Sequence, residues 1–358
     1  MVELQNHLQK GLQQTKKQRV ALVGAGMVSS TYAAALQMLT EKLQLAGVLS
    51  ARKKSAIGFL DTHKASFPEA QVFESADAIA TDPSIDAVII TTPPDAREEL
   101  VELFSSAGKA ILMEKPIERT LQVATRLCET CEQRNVPLGI VLQHRARPAV
   151  RQLQEILATS SPGPLLSLEI SVPWWREQAY YDQPGRGSYA RDGGGVLINQ
   201  AIHTLDLALL LAGPVSEVNS VSSTTGFHNM EAEDFVVSAL RLECGAIGSL
   251  FASTACYPGR AESIRLYFEK VTVSLEANKL LMQWHDGREE SVGAVSDSGG
   301  GADPMAFTSA WHETVIYEFM QALQTGEKSP ITARSALGVH ALIDALEVSS
   351  RDKSAVRL

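Results

Sequence analysis

No run of the 358-residue chain approaches the roughly 20 apolar residues that a membrane-spanning helix needs. Cysteine is scarce as well. Cys128, Cys131, Cys244 and Cys256 are the only four, too few in a chain of this length to form a disulfide framework. Cys128-Glu129-Thr130-Cys131 has C-x-x-C spacing but stands alone inside a helical pattern. Two reduced thiols near one helix face is the plain reading of it, and redox or metal chemistry the exceptional one. Long basic runs are missing, and the formal net charge is −9. That argues against a nucleic-acid groove or an anionic membrane surface as partner. It does not exclude phosphate, because a helix N-terminus binds phosphate without any basic side chain. Met1 to Lys17 is polar and Gln-rich and lacks the apolar segment of a signal peptide. Residues 1–18 are therefore expected to be a polar tail, and the chain a cytoplasmic one.

What the chain does have is alternation. Arg19 to Val23 reads as a buried strand, Val28 to about Leu43 as a helix, and Leu45 to Leu49 as a second strand. Asp86 to Thr91 is β-branched and apolar, as a central parallel strand should be. Helices over Arg97–Ser105 and Leu121–Gln133 alternate with strands over Ala110–Met113 and Pro137–Leu142. The rhythm predicts a doubly wound parallel sheet over residues 19–145. After Pro148 the period shortens to two, at Leu165–Val172, Glu217–Ser223, Phe235–Leu242, Ala246–Ala255, Ile264–Phe268 and Val271–Leu275. Residues 146–358 are accordingly expected to form an α+β domain around a large, mostly antiparallel open sheet. A surface loop is expected at Ser296–Asp303, and helices at Ile202–Leu211, Trp311–Leu323 and Ala333–Glu347.

Gly24-Ala25-Gly26-Met27-Val28-Ser29 follows the first strand and opens a helix. The first glycine permits a tight turn, and the second lets a pyrophosphate approach the amides of the helix N-terminus. The third fingerprint position is Ser29, still small enough for close helix–strand packing. Gly24, Gly26, Met27 and Val28 are thus the candidate phosphate cradle of a dinucleotide site. An acidic residue closing the second strand would bind a ribose 2′-hydroxyl. This chain has Ser50-Ala51-Arg52-Lys53-Lys54 there instead. Ser50 and Arg52 suit a 2′-phosphate, so NADP(H) is expected ahead of NAD(H).

Two further segments supply candidate chemistry. Glu114-Lys115-Pro116 follows a strand at the carboxyl edge of the sheet, where active sites of such folds lie. Asp192-Gly193-Gly194-Gly195 leads into a segment carrying Asn199 and His203, four residues apart. Between them, Trp174-Trp175-Arg176-Glu177-Gln178-Ala179-Tyr180-Tyr181 and Gly185-Arg186-Gly187 combine aromatics with polar groups. That mixture suits a sugar ring, and equally suits core or interface packing. Trp175, Arg176 and Arg186 are the candidate substrate contacts, with the arginines able to hold a carboxylate or phosphate. Arg145, in Gln143-His144-Arg145 at the end of a strand, is another.

With Thr91-Thr92-Pro93-Pro94, these motifs resemble the Gfo/Idh/MocA oxidoreductases, the family of glucose-fructose oxidoreductase and inositol dehydrogenase. The resemblance runs from about Arg19 to the C-terminus. It implies a sugar, polyol or nucleotide-sugar substrate, with His203 as acid–base group and Lys115 stabilising the reacting oxygen. It also implies cofactor contacts from Thr92, Pro93, Glu114 and Lys115, and a homodimer or homotetramer built through the C-terminal sheet. Asn199 stands where the family often has Asp, and Tyr32 where it often has His. Pro94 and Arg97 stand where many members have Asn and His. A nucleotide-binding regulator without turnover and an NAD-dependent glycosidase are the alternatives within the same resemblance.

Overall fold

The computed structural model describes residues 17–293 and 308–358. Most of the expected tail and the expected loop at 296–303 lie outside the described residues.

Among the described residues, the first sheet has six strands. They are β1 (Gln18–Val23), β2 (Leu43–Leu49), β3 (Gln71–Val72), β4 (Ala87–Ile90), β5 (Ala110–Glu114) and β6 (Leu138–Val141). All pair in parallel, in the order β3-β2-β1-β4-β5-β6. β4 has no accessible surface at any residue, which accounts for its unbroken apolar run. Helices α1 (Ser29–Met38), α2 (Lys53–Thr62), α3 (Ala76–Thr81), α4 (Arg97–Ser106) and α5 (Leu121–Gln133) connect these strands. The first helix is shorter than expected, because Leu43 already belongs to β2 and pairs with Gln18. Cys128 and Cys131 are buried in α5, and burial pushes their thiols up to about 12 and about 11. They are protonated packing groups.

The second sheet has nine described strands. They are β7 (Leu165–Pro173), β8 (Val215–Ser223), β9 (Phe235–Leu242), β10 (Ile247–Ser253), β11 (Ser263–Phe268), β12 (Val271–Glu276), β13 (Lys279–Trp284), β14 (Glu289–Val292) and β15 (Val356–Arg357). Their order is β14-β13-β12-β11-β7-β10-β9-β8-β15. Only β7 and β10 pair in parallel; the other pairs are antiparallel. Burial alternates along β9 and β11, so one sheet face is covered and the other open. The covered face packs against α6 (Pro148–Thr159) and α7 (Ile202–Ala212).

The C-terminal chain ties the sheets together. Helix α8 (Ala310–Thr325) buries Trp311, Val315, Ile316 and Phe319 in the core of the first sheet. Helix α9 (Ala333–Asp352) gives Ala333 and Ala336 to that core, and Val339, Leu342 and Leu346 to the core of the second. The cleft between the sheets is therefore braced by two helices far from it in sequence.

Candidate active site

Loops leaving β1, β4, β5 and β6 converge on one side of a cleft of about 260 Å³. This is the carboxyl edge, where backbone groups not used by the sheet meet ligands. Gly24 has φ +117°, and a Cβ there would lie 2.5 Å from Thr91 Oγ1, so only glycine fits. Gly26 is different. A Cβ on it would meet nothing within 4 Å, and its surface opens into the cleft together with Met27 and Val28. Helix α1 starts without a capping side chain and without an acid in its first turn. Ser29 N and Thr31 N donate to Gly26 O and Val28 O at 3.1 Å, and no acidic side chain competes with an anion for the rest of this helix start. Thr92 Oγ1 is buried with no partner among the described residues, and Pro93 lines the same wall. An open glycine, an uncapped helix start and an orphaned hydroxyl fit a dinucleotide.

A second groove, of about 830 Å³, runs past Gly24, Ser50, Glu74 and Thr92 on the other side of the turn. Ser50 lines it, whereas Arg52 is exposed at the start of α2 and does not. Lys53 pairs with Glu74 at 2.6 Å.

Glu114, Lys115, Asn199 and His203 all line the first cleft. The Lys115–Pro116 peptide is cis. Lys115 Nζ donates to the Asn199 carbonyl at 2.7 Å, and burial pushes its ammonium down to about 8. Glu114 accepts from the buried Tyr32 hydroxyl at 2.8 Å. Arg97, almost wholly buried, donates to the carbonyls of Thr92, Glu114 and Pro116. It thereby holds the β4 and β5 loops in register.

Asn199 lies in a π-helical turn, Leu197–Ala201, that runs into α7. Such turns widen the backbone ring and recur at functional sites. The Asn199 carboxamide donates to Gly194 O at 2.8 Å and Gly195 O at 3.1 Å. The carboxamide shapes the glycine turn, while the Asn199 backbone carbonyl anchors Lys115. His203 is 5% exposed and its Nδ1 has no partner among the described residues. Burial, then the Lys115 charge, holds its imidazole well below the ordinary value, so the ring is neutral.

His144 and His312 join this group. His144 stacks on His203 with centroids 4.5 Å apart. Arg147 Nη2 lies 2.7 Å from His144 Nε2. The same guanidinium sits 2.8 Å from Glu262 and donates to Ala277 O at 2.9 Å. His312, on α8, lies 3.8 Å from Glu114.

The side of the cleft facing these groups carries Trp174, Arg176, Tyr180, Arg186, Arg191, Asp192 and Gln200. Arg176 and Arg186 are therefore where the sequence places substrate contacts. Two other expected contacts are not. Arg145 donates to Asp206 Oδ2 at 2.7 Å and to Ser335 Oγ at 3.1 Å, outside the residues that line the cleft. Gln143–Ala146 is a 3-10 turn, which sends His144 to the cleft and Arg145 to α7. Trp175 turns away to meet Phe227 and Tyr257 edge-on, and its neighbour Trp174 takes the cleft. Sequence reasoning missed His144, Arg147 and His312 as site residues. His144 had a signal, as part of a polar run closing a strand. His312 had none, because only the return of α8 brings it here.

Residues 18–141 match the model of the oxidoreductase family with an NAD-binding Rossmann fold. Residues 150–274 match the GFO/IDH/MocA C-terminal domain. A scyllo-inositol 2-dehydrogenase (NADP(+)) of Bacillus subtilis is 20% identical, covering 98% of this chain and 99% of the relative. A D-apiose dehydrogenase of Paraburkholderia graminis is 24% identical over 96% of this chain and 90% of its own length. Among solved structures, the WlbA dehydrogenase of Bordetella pertussis in complex with NADH and UDP-GlcNAcA superposes with a TM-score of 0.80 at 26% identity. That match covers 96% of this chain and 99% of the other. The two domain matches in sequence order, on a fold that sets a nucleotide-binding sheet edge against an open antiparallel sheet, place the chain in the Gfo/Idh/MocA family of NAD(P)-binding oxidoreductases.

Proposed function

We propose that the chain is a dehydrogenase, or in reverse a reductase, that interconverts a hydroxyl and a carbonyl carbon of a sugar, polyol or nucleotide sugar. The observation that carries this reading is the meeting of Lys115 and His203 in one buried cleft beside the nucleotide turn. When bound, the nicotinamide supplies the hydride acceptor or donor. His203, neutral and without a hydrogen bond at Nδ1, takes the proton of the reacting hydroxyl in the oxidative direction. Lys115 donates to the same oxygen and stabilises the negative charge that develops there. Asn199 is a positioning residue, its carbonyl aiming the Lys115 ammonium.

NADP(H) ahead of NAD(H) is part of the proposal. Ser50 lines the second groove, and Arg52, which does not line it, is exposed two residues further along the chain. Five carboxylates line that groove, Glu74, Asp95, Glu98, Glu99 and Glu102. Glu74, Glu98 and Glu102 are paired with Lys53, Arg126 and Arg134, so the support for NADP(H) is Ser50, with no acid closing β2. The names of the relatives support the substrate class, as does the presence of Trp174 and Tyr180 in the cleft lining. Assembly through the open face of the second sheet is supported by Val221 and Val237, which are exposed and pair directly across β8 and β9. The reading is tested by following absorbance at 340 nm with NADP+ or NAD+ against inositols, pentoses, hexoses and nucleotide sugars. Turnover with NADP+ is expected. Absence of turnover across the panel with either dinucleotide contradicts it.

A further inference from the structure

A buried carboxylate outside the cleft holds the turn that carries the reacting groups. Glu233 lies between β8 and β9 and is 5% exposed, and it is not among the residues that line the cleft. Three consecutive amides converge on it. Gly195 N donates to its Oε2 at 3.1 Å and Leu197 N to its Oε1 at 3.0 Å, while Val196 N donates to its backbone carbonyl at 2.8 Å. The approach is too close for any side chain at Gly195, whose Cβ would stand 1.7 Å from the Glu233 carbonyl oxygen.

These amides open the π turn at Leu197–Ala201, which has no capping side chain of its own. The first amides of a helical segment lack partners within it and favour a negative charge. A carboxylate distant in sequence supplies both here. Glu233 is itself fixed. Its neighbour Asp234 has no accessible surface, and its backbone donates to Ser223 O at 3.2 Å and accepts from Thr254 N at 2.9 Å. The Asp234 carboxylate accepts from Thr225 N and Thr225 Oγ1, each at 2.7 Å. Glu347 faces Glu233 from α9, where burial and then the Glu233 charge push its carboxyl up to about 8. Glu347 Oε1 has no partner among the described residues, whereas both Glu233 oxygens meet N–H donors. Of the two acids, Glu347 therefore keeps the proton and Glu233 stays ionised.

The Gly195 peptide passes this anchoring on. Its N–H is held by Glu233, and its carbonyl accepts from Asn199 N at 3.2 Å and Asn199 Nδ2 at 3.1 Å. The Asn199 backbone carbonyl in turn receives Lys115 Nζ at 2.7 Å, and His203 follows on the next turn of the same segment. A run of hydrogen bonds thus joins Glu233 to the lysine ammonium from behind the cleft. We propose that Glu233 is a positioning residue for the reaction: its two carboxylate oxygens set where the Asn199 carbonyl and the His203 ring stand, and through that carbonyl where Lys115 points. This rests on the dehydrogenase reading for its effect on turnover, and one arm of its test does not.

Two variants separate positioning from packing and from charge. Glu233→Gln keeps the volume but turns an NH2 group toward one of the two amides. Glu233→Asp keeps the charge and both oxygens but withdraws them by one methylene. Each is expected to lower kcat about tenfold or more, counted per NADPH-binding site so that only folded protein enters. The NADPH dissociation constant should stay near the parental one, because the nucleotide turn follows β1 and not this segment. Competitive labelling with acetic anhydride across pH, read by peptide mass spectrometry, titrates Lys115 without any turnover. Its midpoint is expected at about 8 in the parent and lower in both variants, because the ammonium loses the acceptor that favours its charged form. A parental midpoint in Glu233→Gln would mean that the side chain only packs, and a parental midpoint in Glu233→Asp that only its charge acts; either result overturns the proposal, as does parental kcat in either variant. A parent without turnover on any substrate, with the Lys115 midpoint lowered in both variants, would instead sink the dehydrogenase reading and leave the anchoring of Lys115 standing.

Discussion

Lys115 carries the sharpest residue-scale consequence. Burial lowers its ammonium to about 8, so the charged form exists below that pH and is lost above it. If the cation stabilises the reacting oxygen, kcat/KM for oxidation falls as pH rises through about 8. Lys115→Met should abolish that limb and lower kcat by about 10²- to 10³-fold, the usual loss for one such donor. An unchanged profile would refute the role. His144 gives a second test. The Arg147 guanidinium can only donate, so His144 Nε2 accepts and its proton sits on Nδ1. That clamps a neutral ring flat against His203. Asn199 cannot orient His203 through its amide, which is spent on glycine carbonyls. His144→Phe keeps a ring there and should retain most of kcat, whereas His144→Ala should lose about tenfold or more through misplacement of His203. Equal rates for the two variants would contradict a positioning role.

At the scale of elements, the turn after β1 and helix α9 make separable predictions. Gly24→Ala forces a Cβ to 2.5 Å from Thr91 Oγ1 at φ +117° and should lower the melting temperature. Gly26→Ala meets nothing in the fold and should melt like the parent while weakening NADPH binding by about tenfold or more. On α9, burial and then the charge of Glu233 raise the Glu347 carboxyl to about 8. A raised acid favours the fold while protonated, so its contribution is present at low pH and lost as pH climbs from the unfolded value toward 8. Glu347→Gln should therefore raise the melting temperature above pH 8 and change little near pH 5. His340, on the same helix, is pushed down to about 4 by burial and accepts from Ile117 N. Its neutral form supports the fold, and that support is lost as pH falls from about 6.5 toward 4.

Elements whose cause is local were readable in the sequence. Leu121–Gln133 and Phe235–Leu242 fall where periodicity puts them. β3 and β15, two residues each, are too short to carry a period. The π turn at Leu197–Ala201 and the crossing of α9 between two cores depend on distant packing. The site divides in the same way. Lys115, Asn199, His203, Arg176 and Arg186 lie on motifs that announce themselves, while choosing His144 over Arg145, or Trp174 over Trp175, depends on which way a turn sends its side chains.

The whole molecule carries a net charge of −9 and ties its two sheets together through the core residues of α8 and α9. No described helix is long and apolar enough to cross a membrane. The open sheet face, with Val221, Val237 and Ile247 exposed, should mediate self-association. Light scattering is expected to report a dimer or tetramer, and Val237→Lys with Ile247→Lys should shift it toward monomer; an unchanged mass would exclude that face. Lys115 and His203 together are expected to give the bound nicotinamide its chemistry. The most direct test measures NADPH formation at 340 nm with the best substrate of the panel, comparing the parent with a Lys115→Met, His203→Ala double variant whose NADPH affinity has been checked. The predicted result is retained cofactor binding with turnover reduced by about 10³-fold or more. Full turnover in the double variant would contradict it.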